Sequence, residues 1–178
     1  MPPLIKDVVK FSDFVVTGHV FHTSPLSFAF VNLKPLLPGH VLVSPHRIVP
    51  RFTNLSTAEV QDLFLTVQRV SRTIERVYHA SALNIAIQDG RDSGQSVAHV
   101  HVHIIPRKKD DLPEDAIYPM LDSEDGDVVS LLRERKLADE KKQKTEFPPD
   151  DDRKPRSEEV MQKEAKWLAE EIDKDLES

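Results

Sequence analysis

The sequence predicts an α+β domain: a largely antiparallel five-stranded sheet, one long helix between strands, and a C-terminal helix. Three observations carry this. Five short runs rich in β-branched and aromatic residues are separated by turn residues. One stretch of more than twenty residues has apolar side chains at helical spacing. A charged, proline-containing stretch then precedes a second amphipathic segment near the end.

The strand candidates are 14–21 (FVVTGHVF), 27–31 (SFAFV), His40–Ser44, 83–88 (LNIAIQ) and 99–105 (HVHVHII). Thr23-Ser24-Pro25 separates the first two, and two prolines with a glycine fill the 33–39 loop (LKPLLPG). Pro45 ends the third, Asp89-Gly90 the fourth and Pro106 the fifth. Strands joined by short turns, with one inserted helix, point to a mostly antiparallel sheet.

The long helix is predicted from Ser56 to about Tyr78. Ser56 and Glu59 have the spacing of a capping box, and Leu55 and Val60 that of a hydrophobic staple. Val60, Leu63, Phe64, Val67, Val70, Ile74 and Val77 then form a stripe read as core or dimer packing. The last helix is predicted from a Ser157 cap to about Leu176, with Val160, Ala165, Trp167, Leu168 and Ile172 giving it a partial apolar face.

Charge divides the 178 residues. Residues 1–120 hold 12 basic and 11 acidic side chains, whereas residues 121–178 hold 12 basic and 19 acidic ones. All eight histidines lie at or before position 103. The organisation expected is therefore a catalytic body over 1–121, a charged disordered insertion over 122–156 and a helix over 157–178. The absence of cysteine excludes disulfides, thiol nucleophiles and cysteine-ligated zinc. The acidic balance argues against a nucleic-acid partner. No signal-peptide core or membrane-spanning stretch is present, so an intracellular protein without a membrane partner is expected.

The sharpest chemical signal is His99-Val100-His101-Val102-His103. In a strand, alternate side chains share a face, so the imidazoles line one side, spaced roughly 6.5–7 Å apart. Val100, Val102 and Ile104 line the other. Three readings compete. Surface histidines on a half-exposed strand are one, though strict alternation is hard to obtain by chance. A three-histidine metal site is another, but the outer pair is about 13 Å apart on a straight strand, which strains convergence on one ion. The third is phosphoryl or nucleotidyl transfer. A neutral imidazole is a competent nucleophile, and flanking imidazoles protonated beside an anionic substrate can bind phosphate oxygens. His101, with helpers on both sides, is then the nucleophile.

The segment GQSVAHVHVHIIPRK at 94–108 resembles the signature of the histidine triad family. SFAFVNLKPLLPGHVLV at 27–43 and LNIAIQDG at 83–90 resemble its fragile histidine triad branch. The likeness covers roughly residues 11–121 and returns at RSEE, 156–159. The resemblance implies the histidine-triad fold and hydrolysis of diadenosine triphosphate to AMP and ADP through an adenylyl-histidine. It makes His101 the nucleophile, with His99 and His103 flanking it and His40 supporting from the neighbouring strand. It makes Asn32 a ribose ligand, and Gln88 and Gln95 phosphate contacts, Gln95 also helping to orient the attacking water. His103 would touch substrate as well. The resemblance further implies a homodimer and no tightly bound cofactor, with Mg²⁺ or Mn²⁺ assisting through the substrate. The expected location is the cytoplasm, with the nucleus as a second compartment. Alternatives are hydrolysis of a dinucleoside tetraphosphate or a nucleoside phosphoramidate, or a binding module whose nucleotide-loaded form is the output.

Overall fold

In a computed structural model, residues 8–112, 116–121 and 155–176 are described. Two residue pairs, β1 (Lys10–Phe11) and β2 (Phe14–Val15), make a small hairpin. The main sheet contains β3 (Val20–Thr23), β4 (Ser27–Val31), β5 (Val41–Pro45), β6 (Ala82–Ala86) and β7 (Val102–Arg107). Its order is β3-β4-β5-β7-β6, with every neighbouring pair antiparallel. Among the described residues the two long helices are α1 (Thr57–Tyr78), between β5 and β6, and α2 (Glu158–Leu176), with a short helical stretch at 117–121.

The expected α+β architecture is present. The predicted strand at 14–21 is divided, however, into β2, a 3₁₀ turn at Thr17–His19 and the start of β3. The histidine strand also starts late, at Val102 rather than His99. The Val100 N–H donates to the Val49 carbonyl and the His99 N–H to Val97, so neither joins the ladder to β5, which begins at Val102 opposite Val43.

Strand alternation sorts the apolar residues into two cores. On one face Ala29, Val31, Val41, Val43, Val100, Val102 and Ile104 meet Leu63, Val67, Val70 and Ile74 of α1. On the other, Phe28, Phe30 and Leu42 meet Val9, Phe11, Val16 and Val97. The hairpin thus roofs the histidine face.

The start of α1 is built as the sequence indicates. Ser56 Oγ accepts from the Glu59 N–H and the Glu59 carboxylate accepts from the Ser56 N–H, closing the capping box. His79 ends the helix in the left-handed conformation. Within the stripe expected to serve core or dimer packing, Phe64 is 43% exposed, and the buried part narrows to Leu63, Thr66, Val67, Val70 and Ile74.

Helix α2 docks beside α1 through Met161, Ala165, Leu168, Ala169 and Ile172, all buried. Val160 is exposed rather than packed, and Trp167 sits at the margin, edge-on to Tyr78 at 5.6 Å. Ser157 caps the helix weakly, its Oγ 3.4 Å from the Val160 N–H. The expectation of disorder over 122–156 lies outside the described residues except at its end, where Arg156 is ordered by contacts to the body.

Candidate active site

Four imidazoles and one carboxamide converge where the 32–40 loop meets the segment entering β7. Asn32 follows β4 directly, and His40 precedes β5. Gly39 makes the turn between them, with φ +87°, a left-handed conformation suited to glycine. His40, His99, His101 and His103 are all buried, with Asn32 beside them.

Hydrogen bonds assign a proton to each ring. The His99 Nδ1 accepts from the Ser12 N–H at 3.0 Å, and its Nε2–H donates to the Pro45 carbonyl at 2.8 Å. Both nitrogens are therefore used by backbone. Burial pushes the His99 imidazole down to about 4, with the Pro45 hydrogen bond opposing and the nearby His101 adding to the depression. The expectation that His99 becomes a protonated phosphate ligand is corrected accordingly: it has neither a vacant nitrogen nor an environment that tolerates charge. It also lacks a lone pair to give a metal, which removes the three-histidine ligand set. Among the described residues no group of three His, Cys, Asp or Glu side chains is gathered so as to hold a metal ion.

What His99 does supply is its carbonyl, which accepts from His101 Nδ1 at 2.8 Å. A carbonyl can only accept, so His101 Nδ1 carries a proton, and it is Nε2 that bears the lone pair in the uncharged form of the ring. Phe11 stacks on the His99 ring at 5.3 Å and meets the His101 ring edge-on at 5.2 Å, holding both rings from the roof.

His103 and His40 form a directed pair. The Leu36 N–H donates to His40 Nδ1 at 3.1 Å, which puts the His40 proton on Nε2. That nitrogen donates to His103 Nδ1 at 3.0 Å, leaving the His103 proton on Nε2. Asn32 Nδ2 approaches His40 Nε2 only at 3.5 Å, too far to compete. His103 thus presents an N–H beside His101, the two rings 4.9 Å apart and edge-on. The arrangement sets the His101 Nε2 position beside one N–H donor, that of His103.

The glutamines are placed differently. Gln88 is buried two residues past β6, in which Ala86 pairs with His103. Gln95 closes its own loop: Oε1 accepts from the Gly90 N–H at 2.8 Å and Nε2 donates to the Pro50 carbonyl at 3.0 Å. Sequence reasoning missed Phe11 and Ser12, whose only local sign was the turn in KFSDFV, and it missed Arg156, whose guanidinium reaches the Asn32 carbonyl. Of the other histidines, His19 pairs with Glu158 and His46 lies 3.2 Å from the Ser24 carbonyl.

Residues 13–110 match the HIT domain family. The bis(5'-nucleosyl)-tetraphosphatase [asymmetrical] of Schizosaccharomyces pombe is 53% identical over 89% of this chain and 91% of its own length. The bifunctional bis(5'-adenosyl)-triphosphatase/adenylylsulfatase FHIT of Arabidopsis thaliana is 52% identical over 64% of this chain; the match spans 63% of that protein. Among solved structures, the Plasmodium falciparum diadenosine triphosphate hydrolase in complex with cyclomarin A superposes with a TM-score of 0.60 at 31% identity. That match covers 76% of this chain and 90% of the other. Histidine pattern, sheet order and relatives agree: the chain belongs to the histidine triad family, in its fragile histidine triad branch.

Proposed function

We propose that the protein hydrolyses diadenosine triphosphate to AMP and ADP by double displacement at His101. One observation carries this: the 2.8 Å hydrogen bond from His101 Nδ1 to the His99 carbonyl. It orients the ring and directs the Nε2 lone pair to the α-phosphorus. As the N–P bond forms and the bond to the ADP oxygen breaks, the ring becomes cationic. The same hydrogen bond then strengthens against the developing charge. His103 donates its Nε2–H to the phosphate region, backed by His40. ADP is a good leaving group, so strong general-acid help is not required. Water then attacks the phosphorus of the adenylyl-histidine, releasing AMP and restoring the imidazole. Asn32 holds a ribose hydroxyl, and Gln88 and Gln95 contact phosphates, Gln95 after turning from its loop partners.

The Schizosaccharomyces pombe relative, matched over 89% of this chain, carries a tetraphosphatase name, which favours a dinucleoside tetraphosphate as a second substrate of the same site. No tightly bound cofactor enters this scheme, and Mg²⁺ or Mn²⁺ would arrive on the polyphosphate. The assembly we infer is a homodimer through α1 and the β6 edge. Phe64 and Leu65 on the helix and Ile85 on the edge strand, all exposed, support that surface.

The test is hydrolysis of diadenosine triphosphate and tetraphosphate by wild type and His101→Asn, with mass spectrometry at early times. AMP and ADP from the triphosphate with wild type alone, with an adenylyl adduct on His101, is expected. Equal activity in both proteins would remove His101 as nucleophile. Nucleotide binding without turnover in either would favour the binding-module reading.

A further inference from the structure

A second hydrogen-bonded circuit lies behind the histidine cluster and joins both helices to the 32–40 loop. Arg156 donates from Nε to the Asn32 carbonyl at 3.1 Å, and from Nη2 to the same oxygen. Its backbone N–H donates to the Leu33 carbonyl at 3.1 Å. Its Nη1 donates to Glu164 on α2. The other oxygen of Glu164 accepts from the Tyr78 hydroxyl at 2.8 Å. Burial and the Glu164 charge push the Tyr78 phenol up, so it stays protonated as the donor.

Tyr78 reaches the loop at its far end. A Cβ on Gly39 would stand 2.6 Å from the Tyr78 ring, so the ring lies directly against that turn. The loop is therefore gripped twice, by Arg156 at Asn32 and by Tyr78 beside His40.

The Arg156 contacts exceed what fastening α2 needs. That helix already has its buried apolar face, the His19–Glu158 contact and the Arg76 pairs with Glu171 and Asp175. Two guanidinium N–H groups on one carbonyl, with a backbone N–H on the next, instead fix the Asn32–Leu33 peptide plane. That plane anchors the backbone from which the Asn32 side chain projects. Its Oδ1 accepts from the Lys34 N–H at 3.0 Å, which fixes the amide in turn.

We propose that Arg156 is a positioning residue for the nucleotide ribose, acting through the Asn32 backbone from 124 residues away in sequence. The inference rests on the reading of Asn32 as the ribose ligand. It makes the segment preceding α2 part of the specificity apparatus rather than only a fastening for the helix.

The experiment uses the full chain and compares wild type, Asn32→Ala, Arg156→Gln and Arg156→Lys. Each is assayed for kcat and KM on diadenosine triphosphate and on its 2′-deoxy and 3′-deoxy analogues, with thermal unfolding recorded alongside. The ratio of kcat/KM for the ribo substrate over the more sensitive deoxy analogue is the readout. Loss of one hydrogen bond to a hydroxyl predicts a fall of about tenfold in this ratio for Asn32→Ala and Arg156→Gln. Arg156→Lys, which keeps charge but offers no fork, should fall between.

A purely structural role would depress all substrates equally. An unchanged ratio in Arg156→Gln, beside a lowered one in Asn32→Ala, overturns the Arg156 proposal and leaves the ribose reading standing. An unchanged ratio in Asn32→Ala overturns both. Should Arg156→Gln not fold, the lysine variant decides by the same ratio.

Discussion

Acidification should destabilise the fold through His99, and the cost can be worked from its environment. The folded imidazole sits at about 4 because burial disfavours its charge, against about 6.5 for an unfolded histidine. Between these values the unfolded chain binds the extra proton, so stability is present in full above pH 6.5. It is lost as pH falls toward 4. A difference of about 2.5 units at 1.36 kcal/mol each makes the loss about 3 kcal/mol at pH 4. Urea unfolding at steps from pH 7.5 to pH 4.5 measures it, with wild type compared to His99→Asn. Other groups titrate in this window, His22 among them, so the difference between the two curves is the quantity to follow. Wild type should lose its advantage as pH drops. Parallel curves, or a His99 ring resonance titrating near 6.5 in the folded protein, would refute the argument.

Two further substitutions probe the frame. Gly39→Ala combines a left-handed backbone with a Cβ 2.6 Å from the Tyr78 ring, so a loss of about 2 kcal/mol is expected from calorimetry, with kcat reduced as His40 shifts. A variant as stable as wild type would mean the turn relaxes at no cost. Leu168→Ala removes a fully buried side chain where α2 meets the sheet and should cost between about 2 and 5 kcal/mol in urea unfolding. A loss below about 1 kcal/mol would show that α2 contributes little to the fold.

Local rules made much of the frame legible. The capping box placed the start of α1 to the residue, because both partners lie within one turn. Alternation of histidine with valine gave the two faces of the triad segment, since Val100 and Val102 sit in the helix-side core opposite the imidazoles. Ladder membership was not legible, because it depends on which carbonyls Val100 and His99 meet. The stripe on α1 left core and dimer packing open for Phe64, because periodicity records apolarity and not which flank of the stripe the body covers. His99 looked like a phosphate ligand because its partners, Ser12 and Pro45, are 87 and 54 residues distant. Arg156 and Asn32 are further apart still, and nothing in RSEE declares a carbonyl as its target.

The reach of Arg156 has a consequence for how the protein is made. The strands and imidazoles between residues 20 and 107 leave the ribosome well before α2 does. The nascent domain can thus pair its sheet while part of the helix-side core, and the grip on the 32–40 loop, are still missing. Contacts of such long sequence separation form late and slowly. A nascent chain would acquire its histidine face early, and the Arg156 grip on the 32–40 loop only once residues 156–172 have folded back.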